Sequence, residues 1–333
     1  MDIRVPDDFH LHLRQGALLR DCIGYSSRVF ARGLVMPNIK PPVSTPEAVR
    51  SYSEEIRSAS GEFTPLMTFK ILPGMSPADI RALKEAGCIA GKLYPAGATT
   101  NAEDGVVSTD QIRKVLGAME ETGLVLSIHG EVPGDPILTR EISYIPIIEQ
   151  LSKDFSGLRI VFEHLSTKEA VKAVRDMPPR VGATITPHHL HLTLDDMIGG
   201  NMNPHHFCKP VIKQSEDRKA LVEAAVGGNP KFFFGSDSAP HPASAKLNGS
   251  ALPGIFCAPV ALPVLAEVFE NTGSLDRLED FTSRFGAEFY GLPLNSGKVE
   301  LEKKSWTVPA SCQGVVPMLA GSVLSWTVSR RIE

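Results

Sequence analysis

Little in this 333-residue sequence is repeated, one-sided or extreme, and each missing feature removes a class of function. The five cysteines, Cys22, Cys88, Cys208, Cys257 and Cys312, are odd in number and form no CxxC or zinc-finger spacing. A disulfide framework is therefore not expected, and a reducing cytoplasm is the simplest setting. No secretory leader is legible before the first charged residues, and no apolar run approaches the roughly 20 residues that cross a bilayer. Charge of one sign is not in excess: 34 Lys and Arg stand against 38 Asp and Glu, a formal net charge of -4, so neither nucleic acid nor an anionic membrane is an expected partner. Any grip on an anion must be local. Low-complexity tracts and short repeats are absent, and no glycine-rich first turn announces a doubly wound, dinucleotide-binding sheet.

What is present is alternation. Short apolar, β-branched segments fall near 8–14, 33–37, 65–71, 88–94, 124–130, 159–165, 181–187 and 231–237. Helical stretches separate them: "STPEAVRSYSEEIRSAS" with Ser44 or Thr45 as N-cap and Pro46 in the first turn, "SPADIRALKEAG" capped by Ser76, and "STDQIRKVLGAMEETG" closed by Gly123. "STKEAVKAVRDM" and "QSEDRKALVEAAVGG" follow the same plan. Eight such units predict an α/β fold, a (β/α)8 TIM barrel. Residues 1–333 are expected to form one domain, with 290–333 as a short appended C-terminal segment that is too small for a core of its own.

In such a barrel the active site lies at the C-terminal ends of the strands, and the polar residues there are the test. The first strand ends in His10, His12 and Arg14; later strands end in Lys92, His129, His164 and Asp237. Period two places His10 and His12 on one face, with Phe9, Leu11 and Leu13 expected on the other, packed outward beneath the helices. Imidazole suits zinc and similar metals, but an isolated HxH is as well read as paired polar side chains in a barrel lumen. Lys92 among these histidines puts like charge beside a cation site. Carboxylation of its amine would remove the conflict, since a carbamate can bridge two metals; pairing with Asp237 or with a substrate anion is the simpler alternative.

HxHxR near the start, "GKLYPAGATTN" around Lys92, "HGE" at 129–131, "FEHLSTKEA" at 162–170, "ATITPHHL" at 183–190 and "GSDSAPH" at 235–241 together closely resemble the dihydroorotases, in their short bacterial form within the amidohydrolase superfamily. The resemblance covers about residues 4 to 292. It implies two Zn2+ per subunit: one held by His10, His12 and Asp237, the other by His129 and His164, with carboxylated Lys92 and a hydroxide bridging the pair. It further implies reversible cyclisation of N-carbamoyl-L-aspartate to L-dihydroorotate in pyrimidine synthesis, with Asp237 as general base and then acid. Arg14, Asn38 and His241 would hold the substrate carboxylate, the backbone near Lys209 and Ala258 the ring, and Thr99 and Thr100 a mobile loop that closes over it. A homodimer is expected on the same ground. On residues alone, Asn38 in "MPNIKPP" could be no more than a turn residue, and residues 95–105 a bland surface loop.

One departure is Lys209, where the family carries leucine; a contact made through backbone would survive it, with an altered pocket charge. His188, His189, His191, His205 and His206 could suggest a third metal, but read better as a strand cap and a loop. Cys208 and Cys257 read as small buried hydrophobes. Among rivals, a mononuclear deaminase would not need Lys92, and ring hydrolases acting on neutral substrates, such as dihydropyrimidinase or hydantoinase, would not need Arg14, Asn38 and His241. An inactive scaffold for a transcarbamoylase would have lost metal ligands, whereas all six positions are filled.

Overall fold

None of the short apolar segments can bury itself alone, and in the computed structural model, which describes residues 1–332, eight of them pair into one parallel sheet. A strand β1 (Asp2–Arg4) precedes the sheet. Its members are β2 (Asp7–Leu11), β3 (Arg32–Val35), β4 (Thr64–Lys70), β5 (Cys88–Leu93), β6 (Val125–Ile128), β7 (Ile160–Phe162), β8 (Val181–Ile185) and β9 (Phe232–Phe234), in that spatial order. The edges meet: Asp237 N–H donates to His10 O at 2.8 Å and His12 N–H to Ser238 O at 3.0 Å, which closes a TIM barrel. All eight expected strands are found. They stop earlier than expected, because beyond the last ladder bond the backbone turns sharply: Arg14, His164 and Asp237 take positive φ values of 61°, 43° and 45°. Such values are costly for residues other than glycine and collect where side chains must be aimed.

The caps fall where the sequence puts them. Thr45 Oγ1 accepts from Ala48 N–H, Ser76 and Asp79 form a capping box, and Gly123 ends its helix with φ 69°. His188 and His189 differ from expectation, because they start a short helix (Pro187–His191) capped by Thr186 instead of ending a strand. Among the described residues no helix is long and apolar enough to cross a membrane.

The expectation for Phe9 fails. Between β2 and β3 the register shifts: Asp8 faces Gly33 and Leu11 faces Val35, so Phe9 and His10 together oppose the single residue Leu34. This bulge turns two successive side chains inward. Phe9 joins Leu34, Leu66, Ala90, Val125, Val161 and Phe233 in the barrel floor, stacked on Tyr290 at 5.0 Å. Leu11 and Leu13 pack in the outer layer, as expected. Asp8 props the bulge by accepting from His10 N–H at 3.1 Å and Ser236 N–H at 2.8 Å.

The C-terminal tail is more integrated than an appendage. Its strands β10 (Lys298–Glu302), β11 (Trp306–Thr307), β12 (Val323–Leu324) and β13 (Thr327–Ile332) include two, β10 and β13, that build a three-stranded antiparallel sheet with β1. Glu333, the last residue of the predicted segment, lies outside the described residues. Val308, Met318 and Leu324 pack against Cys208, Ile212, Ile255 and Cys257, so the tail buttresses chain segments at the mouth of the barrel.

Candidate active site

Inward-facing residues at the upper ends of the strands converge on one enclosed space. His10, His12, Arg14, Asn38, Tyr94, Thr99, Thr100, His129, His164, Lys209 and Asp237 all line it. Its free volume is ≈ 20 Å3, room for about one water.

Two sets of donor atoms face each other inside. His10 Nε2 and His12 Nε2 lie 3.4 Å apart, and Asp237 Oδ1 is 3.3 and 3.1 Å from them. His129 Nδ1 and His164 Nε2 lie 3.2 Å apart. The edge of a tetrahedron with metal–nitrogen bonds of about 2.0–2.1 Å is about 3.3–3.4 Å, so both sets have the spacing of ligands to one ion. The outer ring nitrogens fix which atom is left free. Asn38 Oδ1, at 2.9 Å, can only accept from His12 Nδ1–H, and the Glu131 carboxylate, at 2.7 Å, accepts from His129 Nε2–H. Glu163 stands against His10 Nδ1. The inner nitrogens of His10, His12 and His129 then present lone pairs, the arrangement found around metal-bound imidazoles. Burial lowers the pKa of His10 to about 3, of His164 well below the usual value and of His12 in the same direction, so these rings are neutral. The residues fit a pair of zinc-like ions.

Lys92 is wholly buried, and among the described residues its Nζ has no hydrogen-bond partner. The neighbouring carboxylate is Glu163 Oε2 at 3.4 Å, so the alternative of a Lys92–Asp237 pair is not what the fold builds. Burial drives the ammonium pKa well below its ordinary value, and Asp237 opposes this only in part. Burial thus favours the neutral amine, which is the form able to add carbon dioxide. Asp237 stands between the His10 and His12 rings, with Oδ1 within 3.3 Å of both inner nitrogens.

Comparison with known proteins decides the family. Residues 45–184 match the amidohydrolase family model. A dihydroorotase from Alkalilimnicola ehrlichii is 44% identical over 334 residues, which cover 97% of each chain. The chain belongs to the dihydroorotase family. Two solved structures agree with this dihydroorotase-family assignment. The Saccharomyces cerevisiae dihydroorotase in complex with 5-fluoroorotic acid superposes with a TM-score of 0.94 at 35% identity, covering 100% of this chain and 99% of that one. The Campylobacter jejuni dihydroorotase gives 0.92 at 40%, covering 99% and 97%.

The remaining expected site residues are placed unevenly. Arg14 Nη2 lies 2.9 Å from His241 Nε2 and its Nε donates to Pro240 O, which puts a guanidinium and an imidazole side by side. Burial and the field of Arg14 lower the His241 pKa to about 3, so this ring is neutral, and its Nε2 lies between Arg14 Nη2 and Pro253 O, the latter 3.1 Å away. Asn38 is more than a turn residue. It links His12 to the loop, donating from Nδ2 to Thr100 O at 3.0 Å. Lys209 is half-buried at the wall, where burial lowers its pKa and Glu131 opposes the fall. Ala258 is not brought to the wall: its N–H donates to Ser238 Oγ, and Ala239, Pro253 and Gly254 stand there instead.

Sequence reasoning missed Glu131 and Glu163. Their signal was present, since each lies within two positions of a predicted ligand in "HGE" and "FEH". Removing the acceptor charge behind a metal-binding histidine costs about 10–100-fold in metal affinity. Glu163→Gln is therefore expected to weaken zinc binding by that factor in a competition titration with a chelator, and an unchanged affinity would show that Glu163 does not orient His10.

His188, His189 and Cys208 form a second group with donor atoms within 4.8 Å. His189 already has Thr186 Oγ1 at 2.9 Å and Pro210 O at 3.1 Å, and Cys208 donates to Pro210 O. Burial pushes the Cys208 and Cys257 thiols upward, in line with their reading as inert small side chains.

Proposed function

We propose that this chain is a two-zinc dihydroorotase that opens L-dihydroorotate to N-carbamoyl-L-aspartate and closes it again, the cyclisation of pyrimidine synthesis. The observation that carries the reading is the pair of facing imidazole sets, 3.4 and 3.2 Å across, with the buried amine of Lys92 among them. His10, His12 and Asp237 would hold one ion, His129 and His164 the other, and carboxylated Lys92 both. Bound metal would supply a water of lowered pKa and polarise the amide carbonyl.

The chain's own groups do the rest. Arg14, beside His241, offers a planar fork matched to a carboxylate. The yeast relative was solved with 5-fluoroorotic acid, a pyrimidine ring that bears such a group. Asn38 can turn its amide to the same carboxylate once the loop releases it. Asp237 Oδ1, at the centre of the site, takes a proton from the attacking water and returns it to the departing ring nitrogen, general base and then general acid. Among the described residues Thr100 Oγ1 is buried without a hydrogen-bond partner, which leaves this hydroxyl for the ring's carbonyl edge.

The test is metal analysis together with an ultraviolet assay of dihydroorotate loss. Close to two zinc ions per chain and turnover of dihydroorotate are expected. Metal-replete protein that leaves dihydroorotate intact defeats the reading.

A further inference from the structure

Lys70 is the last residue of β4 and 1% exposed, and no role assigned above uses it. Both of its Nζ acceptors belong to the loop that follows β5: Asn101 O at 2.7 Å and the Asp104 carboxylate. Between β5 and those acceptors lie Thr99 and Thr100, the loop's contribution to the cavity wall. Lys70 itself does not line the cavity. It lies behind Tyr94, with Nζ 6.0 Å from that ring's centroid.

The loop has few other ties to the barrel side of the site. Asn38 donates to Thr100 O, and Asn101 Nδ2 donates to Asn38 O at 2.7 Å while Asn101 sits at φ 55°. At its base Val106 N–H donates to Tyr94 O and Ala96 N–H to Val106 O. This base is a hinge with its own ladder, whereas the tip carrying Thr99 and Thr100 is pinned from Lys70 and Asn38. A lysine ammonium this deeply buried is tolerable only while its acceptors stay in place. Asp104, on the loop side, has a half-exposed side chain and can return to water. The two ends of the ion pair thus respond unequally to opening, and the cost falls on Lys70.

We infer that Lys70 is the positioning residue of the loop. Through Asn101 O and Asp104 it sets where Thr99 and Thr100 stand when the loop is shut, and it touches neither substrate nor metal. The inference rests on the dihydroorotase reading for its kinetic arm only.

The test compares Lys70→Met, Lys70→Arg and Asp104→Ala in the full-length, zinc-loaded protein. For Lys70→Met the value of kcat/KM for dihydroorotate falls about ten- to a hundredfold, the factor that a lost charged hydrogen bond carries. The fall lies mainly in KM, zinc content stays at the wild-type level, and Lys70→Arg recovers part of the loss. Asp104→Ala, a change on the solvent side that leaves the barrel interior intact, moves KM in the same direction and covers the case in which Lys70→Met does not fold. Amide hydrogen exchange over 97–104 speeds up in both variants while the barrel strands keep their wild-type rates; this arm needs no substrate. Unchanged loop exchange and unchanged KM overturn the inference. So does a Lys70→Met variant in which zinc is lost in step with activity, since that would make Lys70 a structural support of the metal centre. A wild-type protein inactive on dihydroorotate, with loop exchange still faster in the variants, would defeat the functional reading and leave the loop assignment standing.

Discussion

Lys92→Ala is expected to lower kcat/KM for dihydroorotate by at least about a thousandfold, since the metal pair it is proposed to hold would supply several kcal/mol of transition-state stabilisation and about 1.4 kcal/mol is a factor of ten. The reason begins with burial. Lys92 lies on the inward face of β5, two residues beyond Ala90 of the floor, and no exposed atom lets water stabilise its ammonium. Burial therefore favours the neutral amine, the form that can make a carbon–nitrogen bond to carbon dioxide with release of one proton. A carbamate there would carry a negative charge into a space rimmed by His10, His129 and His164, where an ammonium would repel cations. Alanine would remove both that charge and the oxygens proposed to hold the metals, so the zinc content should fall below two per chain in the same preparation. Circular dichroism and thermal unfolding should show a folded barrel, because alanine at an interior strand position leaves the ladder bonds intact. A folded Lys92→Ala protein with two zinc ions and wild-type turnover would remove the carbamate from the proposal.

How much of this could be read in the sequence depended on which residues obey a local rule. His10, His12, Lys92, His129, His164 and Asp237 stand at the ends of short apolar segments, and barrel topology brings such ends to one rim whatever the loops do. Capping residues were legible for the same reason, since Thr45, Ser76 and Gly123 act within one turn of their own helices. Phe9 was not legible, because its direction is set by a bulge, and the bulge depends on Asp8 bonding Ser236, 228 residues away. Glu131 and Glu163 were quoted in their motifs and passed over, since a carboxylate beside a histidine reads as a surface charge until both are known to be buried. Ala258 was carried to the site by resemblance, yet its N–H is committed to Ser238 Oγ. Lys70 leaves no pattern at all in the linear sequence, because its partners Asn101 and Asp104 become neighbours only when the loop after β5 folds back over β4.

The floor of the barrel gives the second large effect, on stability. Phe9→Ala is expected to cost about 3–5 kcal/mol, the usual range for emptying a buried aromatic site, and to lower the Tm by about 4–7 °C for a chain of this size. Cost alone would not place Phe9, since an outward-facing phenylalanine beneath the helices would also be buried. Its partner Gly286 does. A Cβ at Gly286 would stand 2.3 Å from the Phe9 ring, too close for any real contact, so Gly286→Ala by itself overpacks the floor and should cost about 1–3 kcal/mol. In the Phe9→Ala background the same methyl group enters vacated space, and its cost should vanish or change sign. The double-mutant cycle from urea unfolding should then show a coupling above about 1 kcal/mol, as contacting residues do. Additive effects would return Phe9 to the outer layer and remove the bulge as the explanation for how β2 holds His10 inward. Zinc content and KM should stay at wild-type values in Phe9→Ala, because Tyr290 and Phe233 close the floor below the level of Ser127 and the cavity begins above it.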